Sequence, residues 1–323
     1  MLEPIGRAAS PSNARLTLLG GAALLCCLAY LTVGLRGNIA FVLELRGLRL
    51  GAMLVVSVAV AISTVVFQTV SANRILTPSI MGLDALYILC QTALVFILSG
   101  LGFAGLDPLL AFVGNAVVMV AMALLLFLPM LSRSADLTLL LLTGVVLGVL
   151  FRSLTSMLAR MIDPNEFAVL QGAVFASFGS VRLDTLTITA GVTALGAIVA
   201  WRMRYTLDVI ALGGDAATGL GIDWRKTLTG LLILVAVLVA ASTALVGPLA
   251  FLGLLVSAIA VRVADSERHA LLLPVACGVS IIVLVGSQTL LQHVFGGAGT
   301  LSLIVEFAGG LVFLAMLFSG ARR

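Results

Sequence analysis

The sequence predicts an all-α polytopic membrane protein of about ten transmembrane helices, and three observations predict it. Of its 323 residues, 61% are hydrophobic and only 10% are charged, against about a quarter charged in an ordinary soluble chain. The mean hydropathy is +1.24. The apolar residues also gather into runs that suit a helix crossing a hydrocarbon core, which takes roughly 17–25 residues.

Taken in order, the runs stand at 16–34, 50–70, 82–100, 108–130, 137–158, 185–201, 227–246, 249–264, 270–292 and 301–320. Residues 1–15, with Arg7 and Arg15, read as a short cytoplasmic N-terminal tail, and 16–323 as a single transmembrane domain. The first run is too long for a signal-peptide core and no small-residue cleavage site follows it. "LLCC" at 24–27 therefore reads as small residues within a first span rather than a lipoprotein cleavage box. "LELRGLRLGAM" (43–53) separates the first two runs and carries Glu44, Arg46 and Arg49. In the fifth run Gly144 and Gly148 form a small-xxx-small pair, expected to serve close helix packing within the chain. Gly247–Pro248 divides one long apolar stretch into the seventh and eighth runs.

Two connections are too long and too patterned for plain turns. Segment 163–184 holds a short amphipathic helix around 166–178. Segment 206–226 is polar and glycine-punctuated, with Asp208 and Asp215, and fits a compact helix–turn–helix.

An even number of spans puts both termini on one side. With that side inside, twelve of the 18 Lys and Arg are cytoplasmic, five are outside and Arg152 falls within the fifth span. That bias follows the positive-inside rule. Arg46 and Arg49 are exceptions to it, so something other than topology places them.

Several function classes are excluded. The net charge is +4, but the basic residues are scattered singly, which argues against nucleic acid. Cys26, Cys27, Cys90 and Cys277 lie inside apolar runs, without ligand-like spacing to His269 or His293, so no metal or cofactor is expected. "GGDAATGLG" lacks the Lys-Ser/Thr that would grip a nucleotide's phosphates. No catalytic motif appears, and the chain is expected not to be an enzyme. An ion-coupled secondary transporter would hide ionisable residues at the midplane. Arg152, Glu306 and Asp84 are the candidates for such a role, and no sustained carboxylate relay joins them. A charge at a helix centre costs roughly 2.5–3.5 kcal/mol on insertion scales. Arg152 should therefore face a wet cavity or a carboxylate, with Glu306 as a possible partner, or snorkel to the outer interface; both are candidates for the translocation path.

The polar segments, in order, resemble the permease family of ATP-driven importers for iron–siderophores and cobalamin. "RGLR" (46–49) falls where the family has R-x-P-R opening its second helix, and "NRILTPSIMG" (73–82) resembles N-P-L-A-x-P-x-x-L-G. "LLLTGVVLG" (140–148) matches L-L-L-A-G-x-A-L-G, and "FASFGSV" (175–181) matches W-x-x-G-S/G. "ALGGDAATGLG" (211–221) is similar to L-G-x-x-A-x-x-L-G, and "GPLAFLGLLVSAIAVR" (247–262) to G-x-I-x-F-V-G-L-x-x-P-H-x-x-R. Six motifs stand in register over nearly the whole chain. The Pro-His of the last is replaced by Ser257–Ala258, and the proline of R-x-P-R by Leu48. "RILTPSIMGLDALY" and "IDPNEFAVLQ" look like the subgroup associated with catecholate-type siderophores, whose systems pair two different permease chains.

The resemblance implies a permease passing a ferric siderophore inward across a bacterial inner membrane, with cobalamin or haem less favoured. Its partners would be a cytoplasmic ATPase subunit, a solute-binding protein, a second permease chain and membrane lipid. Arg46 and Arg49 would meet acidic residues of the binding protein, a role suited to the guanidinium fork. Asn73, Ile75 and Thr138 would lie at the cytoplasmic gate. Asp208, Leu212, Gly213, Asp215, Leu220 and Gly221 would belong to the paired short helices that seat in the ATPase.

Overall fold

The computed structural model describes residues 11–35, 38–133, 137–294, 296 and 300–320, and among them no strand occurs. The helices are α1 (Pro11–Thr32), α2 (Ile39–Val70), α3 (Leu83–Ala104), α4 (Pro108–Arg133), α5 (Leu137–Ala159), α6 (Pro164–Val174) and α7 (Leu183–Arg202). There follow α8 (Arg204–Ile210), α9 (Gly214–Gly219), α10 (Trp224–Val246), α11 (Leu252–Ala264), α12 (His269–His293) and α13 (Leu301–Gly320). A 3-10 turn, Pro78–Met81, precedes α3. Among the described residues seven helices are long and apolar enough to cross a membrane. Three shorter apolar helices, Leu83–Ser99, Leu252–Ala264 and Leu301–Val312, lie where the other three spans are expected but fall short of a spanning length among the described residues.

Helices α2 and α10 form the centre. They pack on each other, with α4 and α7 against α10 and α7 and α12 against α2. Met53, Val56, Phe67, Leu231, Leu232 and Leu238 fill the space between them. The flanking helices turn residues such as Leu25, Leu195 and Ile198 outward, as a span facing hydrocarbon requires.

Three boundaries differ from expectation. Helix α2 begins at Ile39, where the Asn38 side chain accepts from the Phe41 N–H at 3.4 Å. Residues 43–53 are therefore helical, not a connection. Glu, Leu and Arg are good helix formers, and at 1.5 Å per residue 32 residues reach about 48 Å, so the charged turns extend past the hydrocarbon. Helix α6 starts earlier than expected, because Asp163 caps it (2.9 Å to Asn165 N–H) and Pro164 occupies its first turn. It ends at Val174, and Phe175 is extended.

The Gly247–Pro248 break is real: α10 stops at Val246 and Gly247 has φ +95°. Segment 175–181 lies across the break. The Ser177 N–H donates to Val246 O at 2.8 Å, and a Cβ on Gly247 would stand 3.1 Å from the Ala176 Cα. Gly144 and Gly148 play the intramolecular role expected of them. They receive the 3-10 turn so closely that a Cβ on Gly82 (φ +84°) would lie 2.8 Å from the Gly148 Cα.

The basic-residue bias labels the end bearing 71–82, 203–223 and 265–268 as inner. Arg15 pairs with Asp265 there at 3.3 Å, and Arg74 with Glu267.

Candidate functional site

At the outer end the two arginines part company. The Arg46 guanidinium donates to the carbonyls of Tyr30 (3.0 Å), Leu31 (3.2 Å), Val33 (2.7 Å) and Gly34 (3.4 Å). These are the unpaired acceptors at the C-terminus of α1, where a cation is favoured by geometry and dipole alike. His293, the last residue of α12, places Nε2 3.1 Å from the same Val33 carbonyl. Arg46 is thus engaged with α1 instead of projecting beside Arg49. Arg49 is half-buried and lines a cavity of 520 Å³ with Gln171, Ser177, Gln288 and Thr300. Its Nε has no partner among the described residues.

Next to this cavity a second one, of 360 Å³, is lined by Tyr87, Gln91, Asn115, Ser177 and Arg182. Gln91 and Asn115 are buried amides on α3 and α4. Sequence reasoning singled out neither, since a single amide in an apolar run carries no pattern.

Arg152 lies on the exposed side of α5 in a groove of 470 Å³ with Ser153, Ser156 and Arg160. Among the described residues no carboxylate pairs with it, and Glu306 is not its partner. Glu306 on α13 lies instead within electrostatic reach of Asp84, which is buried and hydrogen-bonded to Ser79. The Asp84 Oδ2 has no partner among the described residues. It borders a cavity of 20 Å³ that Ser63, Thr64, Thr77, Ser242 and Thr243 also line, room for about one water.

At the inner end, α2 finishes in a turn in which Ala72 has φ +48°. Asn73 Oδ1 accepts from the Ile75 N–H at 3.0 Å, and both residues are exposed. Gln68 fixes this turn from within, donating to Arg74 O at 2.6 Å and to Ser257 Oγ at 2.9 Å. Ser257, a departure from the family's Pro-His, therefore has a partner of its own on α2. The side chain of Thr138 lies outside the described residues.

Helices α8 and α9 form the expected helix–turn–helix. Gly213 (φ +98°) and Gly221 (φ +86°) supply backbone conformations that a side chain disfavours. Leu212 and Leu220 are 65% and 64% exposed, and Asp215 is exposed between them. At the N-cap of α10, hydrogen bonding to Lys226 holds the Asp223 carboxyl below its usual range. Asp208 behaves differently from its neighbours. It turns into the protein and accepts from the His269 backbone N–H (2.8 Å) and from Nδ1 (2.7 Å). The far ring nitrogen, Nε2, is 2.6 Å from Thr69 Oγ1 on α2.

The inner and outer cavities thus flank a core in which α10 and α11 are separated by the Gly247–Pro248 break. Residues 13–319 match the FecCD transport family. The chain belongs to that family. This FecCD permease is 40% identical to the petrobactin import system permease protein YclO of Bacillus subtilis, over 94% of this chain and 96% of that one. It is 32% identical to the petrobactin permease FatC of Bacillus anthracis, over 85% and 78% of the two chains. In fold it resembles an inward-facing metal-chelate type ABC transporter, with a TM-score of 0.84 at 19% identity over 95% of this chain and 99% of that one. Membership of this family replaces the ion-coupled transporter alternative.

Proposed function

We propose that this FecCD permease is the membrane-spanning subunit of an ATP-driven importer that passes a ferric siderophore into a bacterial cytoplasm. The observation that carries the substrate class is the 40% identity to a petrobactin permease along nearly the full length of both chains. The reading assigns ATP hydrolysis to a separate subunit seated on α8 and α9, where Leu212, Asp215 and Leu220 are presented to solvent. A second permease chain completes the pathway, and alternating access at the interface between the two moves the cargo.

Arg49 is the docking residue for the solute-binding protein, with Arg46 bracing α1 beside it. An arginine that lines a polar cavity and makes no ion pair among the described residues can turn its terminal nitrogens to an incoming carboxylate. At the opposite end Asn73 and Ile75 narrow the inner mouth, an amide beside an apolar side chain that can close by dewetting; Thr138 is assigned to the same gate. Arg152 and Glu306 remain path candidates on separate walls.

Uptake in proteoliposomes carrying the two permeases, the ATPase and the binding protein tests the reading. Radiolabelled ferric petrobactin should accumulate only when ATP is present on the ATPase side. Equal accumulation without ATP would overturn it.

A further inference from the structure

At the described inner end a chain of polar contacts centred on a buried histidine joins Asp208, His269 and Thr69. They come from α8, α12 and α2, separated by 61 and 200 residues in sequence. His269 is 2% exposed. Its ring lies between the Asp208 carboxylate at 2.7 Å and the Thr69 hydroxyl at 2.6 Å. The same Asp208 oxygen accepts the His269 backbone N–H at 2.8 Å, so it caps the first turn of α12 as well. Thr69 is anchored in turn to Val65 O at 2.9 Å.

We propose that His269 is a positioning residue that locks the short helix α8 to the inner ends of α2 and α12, so that a displacement of α8 reaches the inner mouth. The inference rests on the reading of α8 and α9 as the seat of the ATPase. A seven-residue helix has little stability of its own, so its attachments decide where a push on it goes. Leu207 and Ile210 bury the apolar side of α8, and such contacts slide. The relay of contacts fixes direction, because His269 is held between Asp208 and Thr69, and Thr69 between His269 and Val65.

Its far end lies where a small movement matters. Thr69 is followed by the left-handed Ala72 and the Asn73–Ile75 turn. Gln68, its neighbour, holds both Arg74 and Ser257. A left-handed non-glycine residue is strained and persists only where its surroundings hold it, which suits this turn to be the two-state element that coupling needs. A cavity of 180 Å³ among Gln68, Thr69, Arg74, Ser257, Glu267 and His269 leaves the turn room to move.

The test compares His269→Ala, Thr69→Val and Thr69→Ser in the reconstituted importer. Co-purification of the ATPase, ATP hydrolysis and chelate uptake are measured, together with nucleotide-dependent maleimide labelling of an Ile75→Cys reporter. His269→Ala and Thr69→Val should retain the ATPase and hydrolyse ATP, while uptake per ATP falls by about tenfold and labelling loses its response to nucleotide. Thr69→Ser, which keeps the hydroxyl, should restore both. A merely structural role would lower the yield of folded complex and leave uptake per ATP unchanged. Wild-type uptake per ATP and wild-type labelling in Thr69→Val and His269→Ala would overturn the relay. If His269→Ala does not reach the membrane, the Thr69 pair decides alone. Failure of the unaltered chain to retain an ATPase would overturn the importer reading, and the relay with it.

Discussion

At the scale of single residues, the outer arginines show how one motif divides its labour. Arg46 spends its donors on four carbonyls of the α1 terminus. Arg49, one helical turn away, lines a cavity, and its buried Nε has no partner among the described residues. Hydrogen bonds to a charged group are worth roughly 1.5–3 kcal/mol each, so Arg46→Ala should lower the melting temperature of the purified permease. Affinity for the binding protein should change little. Arg49→Glu should do the reverse: a normal melting temperature, with docking weakened by at least about tenfold at low salt, since like-charge juxtaposition costs several kcal/mol. That loss should shrink near 1 M salt, where screening acts within about 3 Å. Binding measured at two ionic strengths for both variants checks this, and unchanged docking of Arg49→Glu at low salt would leave the arginine as a membrane anchor. Asp84 presents the complementary case of a buried carboxylate oxygen without a described partner. A buried charge held by a single described side-chain hydrogen bond adds little net stability, so Asp84→Asn should hold or raise the melting temperature. A clear fall would show that the carboxylate has a partner in the assembled importer.

At the scale of elements, α8 and α9 are distinguished by what they leave uncovered. Leu212 and Leu220 are exposed beside Asp215, and the glycines with positive φ at 213 and 221 fix the turns on either side of α9. A compact unit of this sort, projecting between α7 and α10, can be removed from its partner without disturbing the spans. Asp215→Arg, or deletion within 211–221, should leave the permease in the membrane while ATPase pull-down drops by an order of magnitude, the size expected when contacts at the centre of an interface are lost. Unchanged co-purification would make the segment an idle loop. The unit's existence was legible in the sequence, because glycine spacing and polarity between two apolar runs leave few alternatives. The inward turn of Asp208 was not. Nothing local marks a carboxylate whose partner, His269, is 61 residues away.

At the scale of the whole molecule, the spans were legible because hydrocarbon forces every backbone group to pair within its own segment. Hydropathy therefore located α10, α11 and the break at Gly247–Pro248 between them. It misplaced the start of α2, since a helix extending past the hydrocarbon carries Glu44, Arg46 and Arg49 without penalty, and charge there looked like a loop. The ionisable residues were identified but not paired: among the described residues Arg152 has no carboxylate partner, a matter of how α5 packs. That arrangement bears on energy coupling. A proton-driven carrier needs a connected series of titratable groups between its two faces. Among the described residues no hydrogen bond or ion pair joins Asp84 to Glu306, and the Asp208–His269 pair lies apart at the inner end. Uptake should therefore depend on ATP and survive collapse of the proton gradient. Sealed vesicles loaded with ATP and treated with an uncoupler provide the measurement, with internal ATP assayed in the same samples. Uptake should remain within about twofold of the untreated rate while ATP is held high, and fall to background when ATP is exhausted with the gradient intact, because a driving force that contributes nothing to the inward step cannot shift its equilibrium. Loss of uptake at high ATP would mean that Asp84 and Glu306 carry protons after all.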